Sequence, residues 1–427
     1  MQKPCVDPQA VLTVVTDYYL NSGDFNGISA GELADAFNVD WLTLRSPLQD
    51  LIAEGRVGAL FADTAHNTHI IRLGFEAEEV QIGKLATTDL FHTCIYPRPL
   101  HLREVVELVK YWTEPYELCL ALGEPQLAYR AFDLSVLEAY RNDPRYHYLT
   151  NDIRGQIYIK TESAESPQFP ESDKILLETF GFAYDDDLNR AVAVFLRYLA
   201  ILTPEHQQIW KAKEVSGTYR LHTDYYRTAI VGDLPEGNSI FTALLRELAL
   251  LNRIADGMGR SPLFHEDGSH KPRHLGFLVR PTLEEFNNFV LTLDKLLSDN
   301  IRREFFADDV PFESETVRND GKIIVQQKGS LQILNEWITD VFGNLDPDSW
   351  QPAYEALRKV RRLRQKPAHA LDENVFDQQY FKAQRDLIVE AYKAVRTLRE
   401  LLGTHPLVMA ANIKVPTWIQ EGKIWTI

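Results

Sequence analysis

The chain has 427 residues, 45% of them hydrophobic and 25% charged, a composition that suits a globular protein of two to three domains. Its 61 acidic residues against 45 basic ones leave a formal net charge of -16. That balance excludes a general nucleic-acid coat, because nonspecific binding rests on phosphate neutralisation, but it leaves room for a small basic cleft.

Three cysteines, Cys5, Cys94 and Cys119, lack the paired spacing of a zinc or redox site, and so sparse a count suits a reducing compartment. The first residues carry no signal-peptide core, and the most apolar run, 191–202, is too short to cross a membrane and contains Arg197. The expected location is the cytoplasm, with no membrane partner.

Residues 8 to about 75 read as a winged helix. The first helix runs from Pro8 to Leu20, and Ser29-Ala-Gly-Glu32 is a capping box that opens a second helix through Phe37. Asn38 to Asp40 turns into a third helix, Trp41 to Ala53, which Gly55 stops. Val57–Phe61 and His69–Leu73 are expected to pair as the wing. Such an order invites a DNA-binding reading. The candidate recognition helix opposes it, since Arg45 is its only cation beside Asp40, Asp50 and Glu54. DNA contacts would have to come from Arg56 and Arg72; the other reading is a packing or protein-binding role.

Residues 76–280 read as a mostly helical central domain with a small sheet. Helices are expected at 102–112, 116–122, 128–140, 188–202, 204–215 and 238–256, and a strand at 155–160. Two polar strings stand out. His222-Thr-Asp224-Tyr-Tyr-Arg227 could grip a phosphate or work as acid and base; the plainer reading is a locally satisfied segment between strand and helix. His265, His270 and His274, with intervening carboxylates, could ligate a metal; a Gly-, Ser- and Pro-bearing solvated loop is the alternative.

From Pro281 the helices become regular. Pro281-Thr282-Leu-Glu-Glu285 is a capping box before an apolar face, Phe286 to Leu297, and a second face runs from Leu331 to Phe342. Lys322–Lys328 is extended. Next comes an amphipathic helix from Trp350, with Trp350, Ala353, Leu357 and Val360 forming one stripe and Arg364 its next step. Arg358, Lys359, Arg361, Arg362, Arg364 and Lys366 oppose one acid, Glu355, a local inversion of sign in an acidic chain. Pro367 breaks the helix. On an unbroken helix Arg364 and His369 would stand about 500° apart in rotation, on different faces; the bend lets them converge. A last long helix runs from Phe376 to Leu402.

Arg364-Gln365-Lys-Pro-Ala-His369, set between two long helices over the last quarter of the chain, resembles the motif of the HEPN superfamily. The resemblance implies a helical bundle that pairs with a second copy, so that two Arg-His motifs line one cleft. It also implies metal-independent endoribonuclease activity with no cofactor, often in toxins or anti-phage defence. Arg364 and His369 would be catalytic, with Arg358, Arg361, Arg362, Gln365 and Lys366 contacting RNA. A bland reading stands beside it: a solvated basic helix end with a capping histidine.

The expected fold class is therefore mainly α with small β elements: a winged helix (1–75), a mostly helical central domain (76–280) and a HEPN-like bundle (281–427). The leading function is a ribonuclease, and the alternative is a non-enzymatic adaptor or transcriptional regulator with a dimerising bundle. A phosphohydrolase or nucleotide-sensing centre is a third reading.

Overall fold

A computed structural model describes residues 6–61, 67–72, 74–87, 93–235, 237–307, 309–317, 320, 322–343, 347–365 and 375–427. The chain is mainly α, about 52% helical against 15% strand, and divides into two compact units, 1–234 and 235–427.

The first unit opens with α1 (Pro8–Asn21), capped by the Asp7 carboxylate. Strand β1 (Ile28–Ser29) leads into α2 (Ala30–Phe37), where Ser29 and Glu32 cap each other reciprocally as the capping box requires. Asn38 ends α2 at φ 52°, a left-handed conformation that asparagine tolerates better than most residues. A 3-10 turn (Trp41–Leu44) passes into α3 (Arg45–Ala53), and Gly55, at φ 67°, stops it. Strand β2 (Val57–Leu60), α4 (Glu78–Thr87) and β3 (Cys94–Pro97) follow. Leu33, Leu44, Leu48, Leu51, Ile52 and Ile95 are fully or almost fully buried and make one core of these elements.

The wing differs from the sequence expectation. Strand β2 pairs with β3, and β1 joins β3 on its other edge; residues 67–72 form turns. The reason is burial. All four residues of β2 are buried, and so are all four of β3, whereas the 67–72 segment carries His69 and Arg72. The Ile71 N–H donates to the Gln126 side chain instead of to a neighbouring strand.

Beyond β3, α5 (Pro99–Val105) gives way to a 3-10 turn at Leu108–Tyr111, and α6 (Pro115–Ala121) follows. Strand β4 (Tyr129–Phe132) and α7 (Glu138–Arg141) occupy the stretch expected to be one helix. Then come β5 (Tyr146–Thr150), β6 (Arg154–Ile159), α8 (Thr161–Ala164), β7 (Leu176–Tyr184), β8 (Arg190–Phe195), α9 (Leu196–Ala200) and α10 (Pro204–Lys211). Strand β9 (Arg220–Leu221) and α11 (Thr223–Tyr226) lead into a π-helical turn at Arg227–Val231. The strands form one antiparallel sheet in the order β4-β8-β7-β6-β5, with β9 added to β7.

The helix expected at 188–202 is thus strand over 190–195 and helix only over 196–200. Asp185 accepts from the backbone of Asp187 and Asn189, and Leu188 sits at φ 61°, which makes 185–189 a hairpin turn rather than a helix cap. Strand β8 is buried at all six positions, and a strand covered on both faces reads as an unbroken apolar run that periodicity cannot separate from a buried helix.

The second unit holds β10 (Asn238–Ser239), α12 (Ile240–Gly257) and α13 (Leu283–Asp294), the last capped by Thr282 as its sequence suggests. A π-helical turn, Lys295–Asp299, continues α13. A hairpin of β11 (Glu313–Val317) and β12 (Ile323–Gln327) precedes α14 (Ser330–Val341), α15 (Pro347–Arg364) and α16 (Gln378–Gly403). The chain closes with α17 (Pro406–Ala411), α18 (Thr417–Gln420) and β13 (Ile424–Trp425), which pairs with β10 in parallel. Helix α16 packs against α12, α13 and α15. The α15 stripe is inward as its spacing requires, with Trp350, Ala353, Leu357 and Val360 all buried.

Candidate functional site

The stripe of α15 sets the site. Four apolar steps bury one face, and the fifth, Arg364, emerges at the helix end with its side chain 32% exposed. Helix α13 meets it there. Burial of Phe289, Val290 and Leu293 draws Asp294 to zero exposure. The π-helical turn that follows uses i→i+5 bonding, which swings Asp299, five residues on, toward the face of Asp294. The Arg364 Nη1 lies 2.5 Å from Asp294 Oδ2 and 2.8 Å from Asp299 Oδ2. Arg361 Nη1 joins the same pair at 3.2 Å and 2.7 Å.

The second Asp294 oxygen accepts from the Ser298 hydroxyl at 2.8 Å, so the buried carboxylate is bonded through both oxygens, as its position demands. Burial pushes the Asp299 carboxyl up, but the hydrogen bonds from Arg361 and Arg364 outweigh it and hold it below the usual range. The bonds to Asp294 and then Asp299 raise Arg364 above its ordinary value. Two arginines and two aspartates form a quartet of zero formal charge. Because Arg364 makes both bonds through Nη1, its Nε and Nη2 carry no hydrogen bond among the described residues.

The other cations of α15 are also answered. Arg358 and Arg362 share Glu355 at 2.9 and 3.1 Å, and Lys359 reaches Glu390 at 2.7 Å. Those bonds hold Glu355 below its usual range. Gln365 is exposed in the turn that ends the helix. Lys366 and His369 lie outside the described residues. The structure therefore brings Arg361 and Arg364 together and sends Arg358 and Arg362 to a different carboxylate. Sequence reasoning missed Asp294 and Asp299. The available signal was a carboxylate on the last apolar turn of a helix, where burial demands a cationic partner.

Elsewhere, buried His222 caps α11, its Nδ1 accepting from the Asp224 N–H at 3.2 Å, and Arg227 pairs with Asp233. His270 contacts Ser269, His274 lies 3.9 Å from Glu285, and no group of three metal-ligating side chains occurs among the described residues. Arg45 donates to the Ala86 carbonyl and lies over the Trp41 ring, and Arg56 pairs with Glu104. Burial pushes the Cys94 and Cys119 thiols up to about 11, which makes them poor nucleophiles at neutral pH. No helix among the described residues is long and apolar enough to cross a membrane.

No family model, curated protein or solved structure matches this chain.

Proposed function

We propose that the second unit is a HEPN-like helical domain that cuts RNA at the end of α15, with Arg364 and His369 as its catalytic pair. The observation that carries this reading is the fixed Arg364 guanidinium. Asp294 and Asp299 hold one nitrogen, so the remaining edge meets a phosphate without first losing side-chain freedom. In the reaction the ribose 2′-oxygen forms a bond to its own phosphorus while the bond to the 5′-oxygen breaks. His369 takes the 2′-hydroxyl proton and passes it to the leaving 5′-oxygen, and Arg364 stabilises the phosphorane charge. One chain supplies one such motif, so a second copy completes the cleft. Gln365, Lys366 and Arg361 flank the scissile phosphate, with Arg358 and Arg362 further along the strand. A role in toxin or anti-phage systems would follow from this activity.

A second reading is favoured by the charge balance of the same site. The quartet is formally neutral and its Asp294 is buried, as in a scaffold whose arginines only brace α15 against α13. Under that reading the domain is a dimerising adaptor.

RNA digestion in EDTA separates the two, using wild type, His369→Ala and Arg364→Lys. Lysine keeps the charge but loses the planar fork. The nuclease reading expects wild-type cleavage that falls at least a hundredfold in both variants at unchanged melting temperature. Three equally inert proteins, with Arg364→Ala melting several degrees lower, would establish the scaffold instead.

A further inference from the structure

The first unit contains a cavity of about 230 Å³ whose lining includes Arg72, Arg154 and Arg197 and, among the described residues, no carboxylate. In a chain of net charge -16 that is a second inversion of sign, assembled from three distant stretches.

The sheet explains how it forms. Arg154 on β6 is paired with Gly181 on β7, and Gly181 with Ala193 on β8, so these positions share one face of the sheet. Thr179 and Phe195 fall on that face by alternation. Gly181 has no side chain because the Tyr225 ring lies against it; a Cβ there would come within 2.2 Å of that ring. The ring stacks on Phe195, with centroids 5.9 Å apart, and its hydroxyl lies 3.2 Å from the Thr179 hydroxyl. The register of β6 against β7 shifts between Gly155 and Ile157, a bulge of the kind that re-aims a neighbouring side chain. The π-helical turn at Arg227–Val231 supplies a further wall through Ile230, and such turns are frequent at functional sites.

Arg154 and Arg197 are sparsely answered. Arg154 forms no ion pair among the described residues, and it borders a second hollow of about 320 Å³ that holds Glu178. Arg197 lies over the Tyr198 ring and reaches Asp24 only at 3.9 Å. Cations gathered in a concavity with hydroxyls between them repel one another until an anion arrives, and guanidinium matches phosphate geometry.

We propose that this cavity binds the phosphate of a small phosphorylated molecule of the nucleoside monophosphate class. Arg154 and Arg197 grip the phosphate, the Thr179 and Tyr225 hydroxyls complete its contacts, and Tyr198 flanks the body. The volume lies below the ~300–1,000 Å³ of pockets for larger ligands, which suits a ligand no larger than a nucleoside monophosphate and excludes a dinucleotide. This is independent of RNA cleavage in the second unit.

The test is calorimetric titration of the full chain, at low ionic strength, with AMP, inorganic phosphate and adenosine. AMP is expected to bind, phosphate to bind more weakly and compete with it, and adenosine not to register. Arg154→Ala and Arg197→Ala should each weaken AMP about tenfold or more, the loss of a charge-assisted hydrogen bond. Arg154→Lys should weaken it less, and Arg103→Ala, at an exposed position of α5, should leave it unchanged. Melting temperatures and circular dichroism show that each variant is folded. The proposal is overturned if neither AMP nor phosphate binds at millimolar concentration, or if binding is the same in the folded Arg154→Ala/Arg197→Ala double variant.

Discussion

Arginines are used in opposite ways in the two units. On α15 they stand in a run that any reader of the sequence notices, and the fold answers that run with acids from several elements: Asp294, Asp299, Glu355 and Glu390. In the first unit, Arg154 and Arg197 stand 43 residues apart in an unremarkable sequence, and the fold gathers them around a cavity without a carboxylate in its lining among the described residues. A dense cationic run is therefore a poor guide to free positive charge, because neighbouring segments neutralise it. In the proposed phosphate site the charge is instead assembled by topology.

That contrast can be broken or sharpened by removing partners one at a time. The largest effect is expected in the second unit at Arg399, whose Nε lies 2.5 Å from Glu247, with exposures of 11% and zero. Burial pushes the Glu247 carboxyl up even with Arg399 beside it, so removing the arginine strands a buried acid. Arg399→Ala should cost about 3–5 kcal/mol, and Glu247→Gln clearly less. Denaturant unfolding of the full chain measures both; equal losses would show that packing, not charge, governs the pair.

Asp294→Ala comes next. It removes the carboxylate that both Arg361 and Arg364 share, and the expected loss is about 1–3 kcal/mol, since the arginines keep Asp299 and some solvent. A loss below 0.5 kcal/mol on the same unfolding curves, roughly the level of a surface change, would mean that the quartet does not brace α15.

Asp299 gives a pH test of smaller size. Its folded pKa is depressed, so its contribution is fully present above the unfolded aspartate value of about 3.9. The contribution is lost as pH falls through the lower folded value. With Asp299 44% exposed, the stability gap between wild type and Asp299→Asn should be under about 1 kcal/mol at pH 7 and should close in that acid window. A gap that widened on acidification would reverse the sign. The smallest effect belongs to Arg154→Ala, expected within about 0.5 kcal/mol of wild type because it breaks no ion pair among the described residues; a loss above 1 kcal/mol would reveal a structural partner.

Local signals in the sequence translated well. The Ser29–Glu32 box, the Thr282 cap, the turn at Asn38 and the α15 stripe all depend on residues close in the chain, and each forms as expected. What failed depended on distance. Strand β8 reads as helix in the sequence because burial on both faces erases alternation. Strand β2 pairs with β3 rather than with the nearby 69–73 stretch because pairing depends on which apolar strand reaches it, and β3 lies 34 residues beyond. The basic helix end is visible in the sequence, and the last apolar turn of α13 shows that Asp294 needs a cation, but nothing local says that this cation is an arginine 70 residues away. The gathering of Arg154 and Arg197 was equally invisible, because it follows from strand order.

The most direct measurement of the proposed activity is the chemistry of the cut ends. RNA digested by the wild-type protein in EDTA should yield 2′,3′-cyclic phosphate and 5′-hydroxyl ends by mass spectrometry, and a substrate with 2′-deoxyribose at the cut site should survive. Ends bearing 5′-phosphate, cleavage that ignores the 2′-deoxy substitution, or products unchanged in His369→Ala would contradict the account.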